Sequence, residues 1–317
     1  MSSFVISLDF ELFWGVADSR TVREYGPNVA GVWDAVPRLL ALFRQYDMRV
    51  TWATVGMLMC RDYRQWQEIR PTSMPGYLRK SCSNYEMAGL AQEHPQLFFA
   101  RPLVQSIIDT PGQELGTHTY SHFYCNEPGA SAEQFAADLD CAQALAAEFG
   151  TVCRSLVFPR NQVRTEFLDA ARTAGIRVWR GNPTHPLYRD GHYAPGGAAG
   201  RALRLADSWV PVTGTNVGQA ERDNGMFNVP ASQFLRPYST ALSALDSLKL
   251  LRIKRGMTQA AQSGGIYQLW WHPHNFGRNL EQNLGALESL LGHFQTLRDK
   301  FGMRSQALAD FATAGES

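Results

Sequence analysis

Long apolar runs are missing from this chain: no window approaches the roughly 18 to 20 apolar residues of a membrane span, so none is expected. An excess of charge of one sign is missing too. Lys and Arg total 30 against 29 for Asp and Glu, a net charge of +1, which argues against an electrostatic nucleic-acid binder and removes nucleic acid as an expected partner. Cysteine is scarce. The five (Cys60, Cys82, Cys125, Cys141, Cys153) are odd in number and form no CxxC pair, so free core or surface thiols are expected. The first residues lack the basic segment and apolar core of a secretory signal, because two acids interrupt the apolar run, and a cytoplasmic protein is expected. No internal repeat and no convincing linker divides the sequence, which is read as one domain over residues 1–317.

What is present is an alternation. Short β-rich runs at 4–10, 49–55, 114–120, 155–161, 177–181, 204–212 and 266–272 are separated by helical patterns. Trp33, Val36, Leu39, Leu40 and Phe43 mark one helical face; Ser131 starts a long Ala-rich helix ending near Gly150, and Thr165 starts another ending at Gly175. About seven strands in this rhythm predict an α/β protein with a TIM-like barrel. Two stretches break the rhythm, 60–100 with Pro71, Pro75 and Pro95, and 182–232 with Pro183, Pro186, Pro195, Gly196, Gly197 and Gly200. In a barrel such insertions sit on loops over the active face.

The first strand carries two acids in an apolar setting, Phe4-Val5-Ile6-Ser7-Leu8-Asp9-Phe10-Glu11-Leu12-Phe13-Trp14-Gly15. Alternate strand residues share a face, so Asp9 and Glu11 are expected to project together, and buried carboxylates need a cation, hydrogen bonds or a metal. Gly116-Thr117-His118-Thr119-Tyr120-Ser121-His122 places two imidazoles at i and i+4, a helical spacing that grips one Zn²⁺-like ion. Joined by an acid of the first strand they would form a two-His, one-carboxylate site; alone they are equally two satisfied histidines. The late run Ile266-Tyr267-Gln268-Leu269-Trp270-Trp271-His272-Pro273-His274 ends a strand with an imidazole suited to proton transfer near neutral pH. Ser155-Leu156-Val157-Phe158-Pro159-Arg160 ends another with a permanent charge able to orient a carboxylate and depress its pKa.

Taken in order, Asp9, His118-Thr-x-x-His122, Pro159-Arg160 and His272 resemble the NodB-homology polysaccharide deacetylases, carbohydrate esterase family 4. The Trp-Trp-His-Pro-His-Asn-Phe-Gly and Phe-Pro-Arg-Asn-Gln stretches look like a branch associated with bacterial O-antigen and surface-polysaccharide clusters. The resemblance implies a distorted (β/α) barrel, a divalent metal (Zn²⁺, sometimes Co²⁺ or Ni²⁺) and hydrolysis of an N-acetyl group from an amino sugar. It also implies Asp9 as catalytic base, His118 and His122 as metal ligands, His272 as general acid and Arg160 as the residue holding the base. The family's second, metal-binding aspartate is replaced by Phe10, so Glu11 is taken as the third ligand, with Asp9 as its substitute. The third motif lacks its usual double Pro and Gly, and Val178-Trp179-Arg180-Gly181 stands near where the fourth motif would be.

The expected substrate is an amino sugar on a nucleotide or lipid carrier. Trp14, Tyr120, Trp271 and His274 are expected to line its site, although core packing is the competing role for the aromatics. Residues 242–255 combine Leu245, Leu248, Leu251 and Ile253 with Lys249, Arg252, Lys254 and Arg255, which reads either as a membrane-surface helix or as a barrel helix with a solvated basic face. Two other functions fit the sequence, a metal-free amidohydrolase (including an N-formyl sugar deformylase) and a silent sugar-binding or scaffold protein.

Overall fold

The computed structural model describes residues 2–188 and 197–313. Its strands are β1 (Ser3–Phe10), β2 (Val50–Thr54), β3 (Gln113–Thr117), β4 (Ser155–Val157), β5 (Val178–Gly181), β6 (Glu221–Asp223), β7 (Met226–Pro230), β8 (Gln233–Phe234), β9 (Ile266–Trp271) and β10 (Arg304–Gln306). They form one curled sheet in the order β6-β7-β5-β4-β3-β2-β1-β9-β8, with β10 also on β1. Every named pairing is parallel except β6 with β7. The segment 226–234 pairs with β5 through β7 and with β9 through β8. Between the two, the Ala231 amide donates to the Gly181 carbonyl at 2.9 Å and the Ser232 amide to the Gln268 carbonyl at 2.8 Å. One short segment therefore links both sides of the curl, and the architecture is the expected distorted (β/α) barrel.

Strand alternation sorts the side chains into two layers. Val5, Ala53, Val157, Val178, Val229 and Ile266 pack with one another and with Leu308 and Phe311. Phe4, Ile6, Leu8, Phe10, Trp52, Leu269 and Trp271 join the larger core beneath the helices. The predicted helices are present as Val32–Gln45, Ala132–Ala147 and Thr165–Thr173; the second starts on a capping box between Ser131 and Gln134.

Three expectations change. Residues 204–212 are not a strand but the end of the helix Gly197–Ala206 and the turn after it, the Ala-rich run having overridden the apolar pattern. The stretch 182–232 is more than a loop insertion, since it contributes β6 and β7, the latter a barrel strand too short and Pro-flanked to stand out in sequence; Pro195 and Gly196 lie outside the described residues. The helix Asp246–Ser263 turns Lys249 and Arg252 inward, onto Asp246 and Asp207, while Leu248 and Leu251 are exposed, which overturns a solvated basic face built on those two cations. No helix among the described residues is long and apolar enough to cross a membrane. All five cysteines are free, and burial pushes the thiols of Cys60, Cys141 and Cys153 up to about 12, so they are unreactive near neutral pH.

Candidate active site

The carboxyl ends of the parallel strands open onto a cavity of about 520 Å³ whose lining includes Asp9, Glu11, His118, His122, Arg160 and His272. Six residues separated by up to 263 positions thus meet where strand-end residues of a barrel converge.

Asp9 closes β1 inside the barrel, and Glu11 follows at the start of a 3-10 turn, Leu12–Gly15. Between them Phe10 faces outward against Trp52, with ring centres 6.1 Å apart. Gly15 permits this arrangement, because a Cβ at that position would overlap the Glu11 carboxyl group. The glycine that bounds the apolar run therefore provides space for the acid within it.

His118 and His122 lie in the loop after β3, not on the helix face expected from their spacing. Thr119 and His122 adopt left-handed backbone conformations, with φ of 63° and 57°. The Thr119 hydroxyl accepts from the Phe123 amide, and the Asp138 carboxylate accepts from the amides of Tyr120 and Ser121. This loop brings the imidazoles to one carboxylate oxygen: Glu11 Oε2 lies 3.5 Å from His118 Nε2 and 3.1 Å from His122 Nε2. All three side chains are buried.

These residues suit a divalent cation. His118 Nδ1 lies 2.8 Å from the Val157 carbonyl, so the ring donates there and turns the lone pair of Nε2 toward Glu11. Ligand atoms about 3.0 to 3.5 Å apart are what an ion bound at about 2.0 to 2.2 Å requires. On its other side, Glu11 Oε1 is 3.5 Å from His272 Nε2 and 3.9 Å from His274 Nε2. His272 leans on Asn275, whose amide oxygen is 3.2 Å from Nδ1, and its Nε2 also faces Asp9 Oδ2 at 3.9 Å.

Arg160 does not hold Asp9. It pairs with Asp18 and lies over the Tyr124 ring at 4.1 Å, because Arg160 and Asn161 both turn left-handed after β4, with φ of 55° and 54°. The partner of Asp9 is Arg180, on the interior face of β5. Its guanidinium donates to both Asp9 oxygens at 2.7 and 2.8 Å, and also to Ser7 and Asn161. It is fully buried and stacks 4.5 Å from the Trp270 ring. An Arg inside the run Val178-Trp179-Arg180-Gly181 was the available sequence signal, since a cation in a buried strand needs an acid across the barrel.

Burial works against the charge of Asp9, and the Arg180 cation overrides it, holding the carboxyl below its ordinary value. Burial is likewise outweighed at Glu11, by His272, His118 and His122, and its carboxyl sits well below its usual range. Burial lowers the pKa of His122, and burial together with His272 lowers that of His274 to about 3.

Three of the expected substrate contacts are core residues. Trp14 packs on Trp66 and Phe98 and donates to the Phe98 carbonyl; Tyr120 donates to the Ile69 carbonyl; Trp271 stacks on Phe276. All three are fully buried. Strand parity is the reason for Trp271, because its neighbour Trp270 takes the inward position and lines the cavity beside Phe234. His274 is buried behind Glu11, its ring stacked on His272 at 4.9 Å, so it supports the site from outside the cavity wall.

Residues 25–179 match the family model of polysaccharide deacetylases, a span that includes His118, His122 and Arg160 but stops short of Arg180 and excludes Asp9, Glu11 and His272. No curated protein sequence is significantly similar to the chain. Among solved structures, a Mycobacterium smegmatis protein described as a polysaccharide deacetylase superposes with a TM-score of 0.60 at 13% identity, covering 99% of this chain and 90% of its own. One from Pseudomonas aeruginosa, similarly described, gives 0.56 at 14% identity over 98% and 89%. An allantoinase gives 0.53 at 13% identity over 98% and 88%. The chain is thus similar to the polysaccharide deacetylases in sequence across residues 25–179 and shares the fold of these structures across nearly all its length.

Proposed function

We propose that this chain is a metal-dependent hydrolase that removes the N-acetyl, or N-formyl, group of an amino sugar. The reading is carried by one observation: Glu11 with two imidazoles, Asp9 held by Arg180, and His272 meet at a single cavity. Glu11, His118 and His122 would hold the cation, zinc by preference and cobalt or nickel as substitutes. Bound there, it supplies Lewis acidity toward the amide carbonyl and acidifies a water.

Asp9, fixed by the Arg180 fork and kept ionised, accepts the proton of the attacking water. His272 turns Nε2 to the cavity and donates a proton to the departing amine, so that water and amide become carboxylic acid and free amino sugar. Trp270 and Phe234 offer apolar surface for a sugar face. The wording of residues 158–162 and 270–277 supports a precursor of a surface polysaccharide or O-antigen as the substrate's destination. Five unpaired cysteines favour a reducing, cytoplasmic setting.

The test is metal content by mass spectrometry on protein purified without a metal-binding tag, paired with acetate release from N-acetylated amino sugars. Near-stoichiometric zinc, cobalt or nickel that disappears in His118→Ala, together with release, supports the reading. Release by metal-free protein would instead favour an amidohydrolase of the same fold, and binding without release a silent sugar binder.

A further inference from the structure

The cavity lining extends beyond the catalytic cluster. There it includes Tyr188, Arg204, Asp207, Ser208 and Arg236, none of which the hydrolytic chemistry uses. Among the described residues, the charges of this part of the lining do not cancel. Asp207 is already engaged: its carboxylate accepts from the Tyr188 hydroxyl at 2.8 Å and from the Thr213 amide and hydroxyl at 2.9 and 3.0 Å, and pairs with Arg252 at 2.9 Å. Arg236 donates through Nε to the Ser208 hydroxyl at 3.0 Å, which fixes the guanidinium, and both terminal nitrogens have no hydrogen-bond partner among the described residues. Trp209 backs it, with its ring 5.8 Å away. Among the described residues Arg204 makes only a 3.5 Å contact, with the Leu187 carbonyl. Neither arginine has a carboxylate within ion-pair distance among the described residues. Burial lowers the pKa of Arg236, with Tyr188 opposing the shift. A partly buried guanidinium held without a counter-ion is unfavourable for folding and well suited to an incoming anion.

We propose that Arg204 and Arg236 bind the phosphate or diphosphate of the carrier on which the amino sugar is presented. Two uncompensated guanidiniums match a doubly charged diphosphate better than a single sugar carboxylate, and planar Arg forks suit phosphate oxygens. The sugar, lying between these arginines and Glu11, is thereby positioned with its N-acyl group at the catalytic cluster. This assignment rests on the hydrolase reading for the identity of the sugar end; the anion site itself rests on Arg204, Arg236 and the engaged Asp207.

Inorganic pyrophosphate is the first probe, its binding measured by calorimetry on the full chain, on His118→Ala and on the double variant Arg204→Gln/Arg236→Gln. Wild type and His118→Ala are expected to bind it alike, and the double variant about 10- to 100-fold more weakly, as expected for the loss of charge-assisted hydrogen bonds. The thermal midpoint and metal content of the double variant serve as folding controls; should it fail to fold, Arg236→Lys, which keeps the charge and loses the fork, is read in its place. Equal affinity in the arginine variant, or loss of binding in His118→Ala alone, would overturn the proposal. Displacement of pyrophosphate by uridine diphosphate assigns a nucleotide carrier and displacement by farnesyl diphosphate a lipid one; displacement by neither overturns the carrier assignment. Because pyrophosphate binding is read without turnover, a failure of acetate release leaves this result standing on its own.

Discussion

Arg180 grips Asp9 through two parallel hydrogen bonds of 2.7 and 2.8 Å, across the barrel from β5 to β1, with both side chains buried. A buried carboxylate so held is ionised, oriented and unable to wander, which is what a general base needs. Removing the arginine leaves an uncompensated buried charge. Arg180→Ala is expected to cost about 3 to 5 kcal/mol of stability. Arg180→Lys keeps a charge but loses the fork, so the acid limb of the kcat/KM profile should move to higher pH as the Asp9 carboxyl rises. Arg160→Ala, whose partner is Asp18, should leave that limb in place. A shift with Arg160→Ala and none with Arg180→Lys would reverse the assignment of the two arginines.

Gly15 matters to the proposed metal site through space. Its missing Cβ is where the Glu11 carboxyl rests. Gly15→Ala should displace that carboxylate and weaken metal binding by about 10- to 100-fold, comparable to the loss of a residue that orients a ligand. Metal titration of the chelator-stripped protein reads this directly, and unchanged affinity would remove Glu11 from the ligand set.

His272 is assigned to proton transfer. His272→Ala should lower turnover by about 10²- to 10⁴-fold while the bound metal stays at its native stoichiometry. Its Nε2 lies 3.5 Å from Glu11 Oε1, so loss of metal in the same variant would identify it as a ligand.

Asp138 anchors the loop that carries His118 and His122, accepting from the amides of Tyr120 and Ser121. Burial raises its pKa from 3.8 to about 6 in the folded protein. The folded state then binds that proton more tightly than the unfolded chain, so this group's contribution is most favourable below about 3.8 and declines as pH rises to about 6. Other buried groups titrate in the same range, so the informative quantity is the difference between Asp138→Asn and wild type in denaturant midpoint. That difference should shift in favour of the variant between pH 4 and 6; a flat one would return Asp138 to an ordinary pKa.

What was legible in the sequence is what strand and helix periods encode. Short β-rich runs marked most of the barrel strands, and the polar residues ending them (Asp9, His118, His272) do meet at the site, because carboxyl ends of parallel strands converge by topology. His122 joins them for a different reason, a loop with two left-handed residues held by Asp138. Parity was visible only in part: Trp270 and Trp271 are adjacent, and which faces inward depends on the register of β9 against β1, where Trp270 stands beside Ser7 and Trp271 beside Leu8.

Tertiary structure alone decided the partners. Whether Arg160 or Arg180 would hold Asp9 turned on two left-handed residues after β4, and whether Arg252 faced solvent turned on a distant acid, Asp207, arriving beside its helix. The same acid, by satisfying Arg252, leaves Arg236 and Arg204 facing the cavity without a carboxylate among the described residues. Local sequence determines which residues carry charge and which face of an element they share, because those follow from backbone geometry. Which charge meets which is set by long-range packing, since a buried ion pair forms between whatever groups the closed barrel brings within about 3 Å.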